Sequence, residues 1–336
     1  MTDWRFLAEG VMPDEGIVLP IDKPYRWTSA DVVRKIKYAA VRRFGKKNLK
    51  VGHAGTLDPL ATGLLLVCIG PATRRAEALQ ASAKQYLAEV TFGATTPSYD
   101  LEKEIDSFYP LDGVSRESLL EVLPGFVGEQ EQVAPLFSAK SVDGVRAYRT
   151  ARKLLKQARL EGRAFDHSAG DELRTNLINI YGIELEEFTE GADGGSPDGT
   201  ATFGSSAPAG SASFGTATFG SATFGTATFG PSMPLTPAGT AIERSVSGLP
   251  PEQPAPPCNA PGNGKIHVAD ISAYSLPTAR IRVDCSKGTY IRALARDLGE
   301  ALGSGAFLSS LRRTRNGGFD ICEALSIEDA VALLED

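Results

Sequence analysis

The sequence is poor in residues that bind metal ions or form disulfide bonds. Its 336 residues include only three histidines, which lie far apart, and four cysteines, none of them in C-x-x-C spacing. This argues against a zinc site and against a disulfide framework. Scattered cysteines are typical of reduced thiols, so we expect a cytoplasmic protein.

Long apolar runs are also missing. No run approaches the ~20 residues that a membrane-spanning helix requires. The N-terminus, MTDWRFLAEG, lacks the basic and then apolar pattern of a signal peptide. Hydrophobic residues nevertheless make up 42% of the chain, enough for a sizeable core. The length is compatible with about two domains of ordinary size.

Acidic residues are nearly absent from two basic stretches, although the net charge is −6. Residues 32–57 contain eight Lys or Arg and no acidic residue, and residues 146–163 contain seven against the single Glu161. A phosphate backbone responds to such local charge rather than to the net charge. Charge alone leaves two interpretations open, nucleic-acid contacts or solvated helix faces.

A low-complexity segment interrupts the chain at residues 190–264. It repeats a [ST]-A-[ST]-F-G unit and is rich in small residues, Gly and Pro. A five-residue spacing of phenylalanine matches neither a helix nor a strand, so no continuous apolar face forms. We interpret the segment as a disordered insertion, either an inert linker or a set of weak self-association sites. Residues 1–189 and 265–336 are then expected to form one domain.

The remaining sequence mixes strand and helix patterns without regular βαβ order. Strands are predicted at 17–22, 63–70, 84–96, 177–188 and 270–286, and helices at 29–44, 73–82, 146–160, 290–302 and 326–334. Ser29 is the predicted N-cap of the first helix, and Gly45 its terminator. The expected buried face of that helix comprises Val33, Ile36, Ala40 and Phe44. Because several strands are adjacent, we predict an α+β fold with a central, mostly antiparallel mixed sheet flanked by helices.

The stretch GHAGTLDPLATG at 52–63 places one carboxylate, Asp58, between glycines and a proline, directly before an apolar run. A carboxylate fixed on a rigid loop among apolar residues suits nucleophilic or acid–base chemistry. The alternative is an Asp-Pro turn whose side chain bonds only to nearby backbone, and spacing alone favours it. A phosphate-binding loop is disfavoured, because no Gly-Lys-Ser/Thr follows and a strand comes next.

Six segments, in order along the chain, resemble the bacterial tRNA pseudouridine-55 synthases, the family that converts a T-loop uridine of tRNA. They are LPIDKPYRWTS (19–29), GHAGTLDPLATGLL (52–65), KQYLAEVTFGATT (84–96), PLFSAKSVDGVRAY (135–148), CSKGTYIRALARDLG (285–299) and GAFLSSLRR (305–313). The resemblance implies the pseudouridine synthase catalytic fold. It also implies that uridine 55 is flipped out of its stack and isomerised to pseudouridine.

The resemblance implies a role for each matching site residue. Asp58 corresponds to the essential aspartate, which attacks the uridine or its ribose, and Arg292 to the arginine paired with it. Tyr86 corresponds to the tyrosine that stacks on the flipped base, and Leu311 to the hydrophobic residue beneath it. His53 corresponds to the histidine inserted into the T-loop. Further base-pocket and RNA-binding residues are Lys23, Lys287 and Arg313.

The partner implied by the resemblance is tRNA, bound through its T-loop and T-stem with the two basic stretches on the backbone. We expect no metal or organic cofactor, no membrane contact, no obligate protein partner, and a monomer. A tRNA-folding chaperone with incidental catalysis is the alternative. A guide-RNA-dependent enzyme is disfavoured, because the tail is too short for an appended RNA-binding domain of the PUA type.

Two residues depart from the family pattern. Arg26 stands where the family usually has glycine, so we expect a reshaped turn. Lys140 lies one position earlier than the family's lysine, so its RNA contact is not carried over.

Overall fold

The structure is a computed structural model that describes residues 11–138, 141–142, 145–163, 165–167, 175–191 and 266–335. The predicted insertion lies outside these ranges except for residues 190–191, and so does Lys140. The strands are β1 (Ile17–Lys23), β2 (Val51–His53), β3 (Thr62–Ile69), β4 (Lys84–Phe92), β5 (Ala94–Thr95), β6 (Ser107–Phe108), β7 (Gly128–Val133), β8 (Ser141–Val142), β9 (Val145–Arg146), β10 (Thr175–Thr189), β11 (Thr278–Cys285), β12 (Ala306–Asn316) and β13 (Phe319–Asp320). The helices are α1 (Ser29–Phe44), α2 (Ala76–Ala81), α3 (Arg116–Val122), α4 (Ala147–Glu161), α5 (Ile291–Ala301) and α6 (Ile327–Glu335).

A nine-stranded sheet organises the described residues. Its order is β1-β3-β12-β4-β11-β10-β7, with β2 added to β3 and β13 added to β12. All pairs are antiparallel except β12 with β3. The predicted α+β fold with a mostly antiparallel mixed sheet is confirmed. The strands on either side of the predicted insertion, β10 and β11, are neighbours in this sheet.

The apolar run that follows Asp58 forms β3, which is buried on both faces. Leu65, Val67 and Ile69 pack into the main core with helices α1, α5 and α6. The alternate side chains Leu64 and Leu66 pack into a second cluster with residues of the segment around α2. Burial on both faces explains why the strand is continuously apolar rather than alternating.

Helix α1 has the predicted bounds but a different N-cap. Thr28, rather than Ser29, accepts a hydrogen bond from the Asp31 amide, and the Asp31 carboxylate accepts one from the Thr28 amide. This reciprocal capping box gives hydrogen-bond partners to two amides that have none within the helix. Gly45 ends the helix in the left-handed conformation, as predicted.

Two other sequence predictions were inaccurate. The buried face of α1 is centred on Val32, Ile36 and Ala39, with Val33 only partly buried, so the predicted face was rotated. The strand predicted at 270–286 begins only at Thr278, because Pro277 precedes it and residues 266–277 leave the sheet. None of the helices in the described ranges is long and apolar enough to cross a membrane.

Candidate active site

The Asp58 loop, residues 54–61, connects β2 with β3 and is anchored to helix α1. Ser29 Oγ accepts a hydrogen bond from the Leu57 amide at 3.0 Å and donates one to the Leu57 carbonyl at 3.2 Å. The Ala61 amide donates to the Asp58 carbonyl at 3.1 Å and closes the turn. Ser29 therefore serves the loop rather than the helix, which explains why Thr28 is the cap.

Two buried basic side chains, Lys23 and Arg313, bond to backbone carbonyls of the same loop. Lys23 Nζ donates to the Pro59 carbonyl at 3.3 Å. Arg313 Nη2 donates to the Gly55 carbonyl at 3.1 Å. Because Lys23 ends β1 and Arg313 belongs to β12, two separate strands and α1 together determine where Asp58 lies.

The Asp58 carboxylate forms an ion pair with a buried arginine. Arg292 Nε donates to Asp58 Oδ2 at 2.9 Å, while Nη1 donates to the Ser98 carbonyl at 2.9 Å and Nη2 to the Phe137 carbonyl at 3.0 Å. Arg292 is 5% exposed, whereas the Asp58 side chain is 38% exposed. The arginine is thus held by three bonds, and the carboxylate it orients faces open space.

A second carboxylate, Asp100, adjoins this pair and was missed by the sequence analysis. Its Oδ2 lies 3.6 Å from Arg292 Nε, and its Oδ1 accepts hydrogen bonds from Ser98 Oγ at 2.6 Å and the Glu102 amide at 2.9 Å. Burial raises the pKa of Asp100, and Arg292 opposes that rise. Burial lowers the pKa of Arg292, but Asp58 and Asp100 outweigh it and raise the pKa above the usual value. The guanidinium therefore stays charged between two carboxylates.

A cleft opens beside Asp58 and brings several predicted residues together. Its lining consists of Asp58, Leu60, Ala61, Asp100, Leu101, Arg292, Leu308, Ser309, Ser310 and Leu311. Apolar side chains thus surround one ionic cluster. Such a site presents a carboxylate beside an apolar surface. The structure places Leu311 in this cleft with Asp58 and Arg292.

Tyr86 is not among the described residues that line the cleft. It sits on β4, opposite Arg313 of β12, and is 8% exposed. Burial raises the pKa of its phenol, and Arg313, which bonds to the hydroxyl, partly opposes this. The hydroxyl is therefore protonated at neutral pH.

His53 ends β2 at the start of the Asp58 loop and is partly buried. Its Nδ1 is buried without a hydrogen-bond partner in the part of the chain that the structure describes. Burial, with a contribution from Arg313, lowers the pKa of the imidazole. His53 is thus a neutral imidazole next to the Asp58 loop, and its Nδ1 makes no hydrogen bond to the described residues.

Lys23 and Arg313, which were predicted as base-pocket and RNA-binding residues, are both buried. Lys23 is 0% exposed and also donates to the Trp27 carbonyl at 2.6 Å, and Arg313 is 1% exposed with Nε on the Leu64 carbonyl at 2.7 Å. Both bond to backbone carbonyls and so help to fix the shape of the site. Burial lowers the pKa of Lys23 to about 7, although Asp58 opposes this. Lys287 is exposed in the turn between β11 and α5, as a ligand contact requires.

The Arg26 turn needs no reshaping to accommodate arginine. Arg26 has a φ of 60°, the left-handed conformation that glycine favours, so a glycine could adopt the same backbone. The basic residues of α1 and α4 mostly lie on exposed faces, among them Lys35, Lys37, Arg152 and Lys156.

Family models and named relatives agree on one family. Residues 42–165 match the family described as TruB family pseudouridylate synthase (N terminal domain), and residues 292–335 match the tRNA pseudouridylate synthase B C-terminal domain. A tRNA pseudouridine synthase B of Phocaeicola vulgatus is 38% identical over 314 residues, covering 94% of this chain and 91% of the relative. The protein of the same name from Flavobacterium johnsoniae is 34% identical over 314 residues, covering 93% of each. A chain in the crystal structure of a Cbf5-Nop10-Gar1 complex is 22% identical with a TM-score of 0.48, covering 94% of this chain and 53% of that one.

Proposed function

This chain belongs to the TruB family of pseudouridylate synthases, and on that premise we propose that it isomerises a uridine of tRNA to pseudouridine. The observation that carries the proposal is the Asp58 carboxylate, which is fixed by the buried Arg292 at the mouth of an apolar cleft. The reaction breaks the bond from uridine N1 to ribose C1′ and forms one from C5 to C1′. A proton leaves C5 and one is gained at N1, so no net oxidation occurs and we expect no cofactor.

The substrate position we propose is uridine 55 in the T-loop, flipped into the cleft. Leu60, Leu308 and Leu311 would contact the faces and edges of the base, while Asp58 attacks either the uridine ring or the ribose. His53, beside the loop, would fill the space that the flipped nucleotide leaves in the RNA. Tyr86 would stack on the base, because on β4 it lies two residues from Ala88, the cross-strand partner of Leu311.

Binding of the tRNA backbone is assigned to the exposed cations of α1, the loop 45–50 and helix α4. Their positive charge would release counterions from phosphates, so the affinity should fall steeply with salt. We propose that the protein acts in the cytoplasm as a monomer. Lys287, exposed next to α5, would add a further phosphate contact.

Replacing Asp58 by asparagine tests this function. Asn keeps the shape of the side chain but is not a nucleophile, so Asp58→Asn should abolish pseudouridine formation while tRNA affinity stays within about twofold. Turnover is measured by chemical mapping of pseudouridine in a tRNA transcript, and affinity by filter binding. Asp106→Asn, outside the cleft lining, serves as the matched control with normal turnover. Turnover by Asp58→Asn would contradict the proposal. Failure of the wild-type protein to form pseudouridine would contradict it as well.

A further inference from the structure

Residues 266–277, which we call the strap, run beside the cleft before entering β11. Three main-chain contacts fix the strap. The Ile266 carbonyl accepts from Arg26 Nη2 at 2.9 Å, the Ala269 amide donates to the Leu101 carbonyl at 2.8 Å, and the Pro277 carbonyl accepts from the Phe92 amide at 2.9 Å. The function proposed above makes no use of this segment.

The strap packs directly behind the wall of the cleft. One apolar cluster unites buried Leu60, Leu101 and Ala269 with partly buried strap residues such as Ile266 and Ile271. Leu60 and Leu101 also line the cleft, so the apolar cluster that contains the strap forms part of the cleft wall. Close packing of this kind transmits a displacement of the strap to the wall.

Both wall residues are adjacent to carboxylates of the site. Leu60 follows Asp58 by two positions, and Leu101 directly follows Asp100. The Leu101 carbonyl is itself bonded to the strap. A shift of either leucine would therefore move a carboxylate relative to Arg292.

Arg26 is the residue that fastens the start of the strap. Its φ of 60° lies in the left-handed region, which an arginine occupies less readily than a glycine. Its guanidinium nevertheless reaches the Ile266 carbonyl, far away in the sequence. Arg26 thus occupies an unfavourable backbone conformation and uses its long side chain to bond to the Ile266 carbonyl.

We propose that the strap is a positioning element of the active site, and that Arg26 is the clasp that holds it against Leu60 and Leu101. Neither touches the reacting atoms. The strap fixes the wall of the cleft and through it the two carboxylates beside Arg292. This inference rests on the proposed isomerisation of uridine.

The test is Arg26→Gly in the full-length chain. Glycine fits the left-handed backbone, so the melting temperature should not fall appreciably, while the clasp is lost. We expect faster hydrogen exchange in residues 266–276 and a kcat lower by about tenfold, with the tRNA Kd changed by less than about twofold. Arg26→Lys can still donate to the Ile266 carbonyl and should restore most of the kcat. Arg282→Ala, which removes ion pairs to Glu184 and Glu186 outside the strap and the cleft lining, is the matched control with normal kcat.

Each result decides between the alternatives. Faster exchange together with lower kcat and rescue by lysine supports the proposal. Faster exchange with an unchanged kcat overturns it, because the loosened strap would then not position the site. Unchanged exchange also overturns it, because Arg26 would not be the clasp. If the unmodified protein forms no pseudouridine, the proposed function itself fails and this inference fails with it.

Discussion

Asp100 is the residue whose charge most directly affects the Asp58–Arg292 pair. It lies within 3.6 Å of Arg292 Nε, and its other oxygen already accepts two hydrogen bonds. Replacement by asparagine would turn an NH2 group toward the Arg292 donor, and two donors facing each other repel. The guanidinium, and with it the Asp58 carboxylate, should move.

We therefore expect Asp100→Asn to lower kcat by roughly 10- to 100-fold with little change in tRNA affinity. Single-turnover assays on a tRNA transcript measure the first quantity, and filter binding the second. Asp297→Asn changes a carboxylate on the same helix as Arg292 but bonded to Arg296, and should leave kcat unaffected. A normal kcat for Asp100→Asn would show that Arg292 keeps its position without the second carboxylate.

Lys23 makes the stability of the protein depend on pH. Burial lowers its pKa in the folded state from 10.5 to about 7, so the unfolded chain binds more protons between these pH values. The free energy of unfolding should then rise with pH in this window. Below pH 7 the lysine is charged in both states, and its burial is unfavourable throughout.

Comparison with Lys23→Met isolates this contribution. The difference in the free energy of unfolding, wild type minus Lys23→Met, should increase by about 2 kcal/mol between pH 7 and pH 9. Urea denaturation at several pH values measures it. Lys35→Met, at an exposed position of α1, is the control and should show no such increase. A difference that is constant with pH would mean that Lys23 keeps an ordinary pKa in the folded protein.

The sequence allowed prediction of the residues at the centre of the site but not of their surroundings. Asp58 and Arg292 belong to recognisable motifs, and their pairing followed from the family resemblance. Asp100 carries no such mark, because Arg292, the arginine beside it, comes near only through the packing of α5. Lys23 and Arg313 were predicted as base-pocket or RNA-binding residues within segments that resemble the family; only the structure reveals that both are buried and bond to the Asp58 loop.

At the scale of elements, strands with a clear alternation were predicted well, whereas the strap was not distinguished from a strand. The reason is that the strap repeats the apolar pattern of β10. Ile178, Ile180, Ile183, Leu185 and Phe188 of β10 face the main core. The same spacing is found at Ile266, Val268, Ile271, Ala273 and Leu276. Periodicity alone cannot tell which of two equivalent segments enters the sheet.

At the scale of the whole molecule, the contacts that fix the site come from two separate parts of the described chain. Asp58, Arg292, Asp100 and the cleft lining are all held by partners in residues 11–138 and 266–335. The predicted insertion joins β10 to the strap, and its composition offers no continuous apolar face. Its removal should therefore leave the active site intact, provided that the strap is kept.

Excising residues 195–260 tests this, and we expect turnover on tRNA to stay within a few-fold of the full-length value. The free energy of unfolding should rise by about 1 kcal/mol, because the connection between the paired Thr189 and Thr278 becomes roughly fourfold shorter and costs less entropy to close. A companion variant keeps the length but replaces the repeat phenylalanines at 203, 214, 219, 224 and 229 by alanine. If excision lowers turnover a hundredfold and the alanine variant does the same, the phenylalanines take part in binding tRNA. If only excision does so, the length of the connection is what the strap requires.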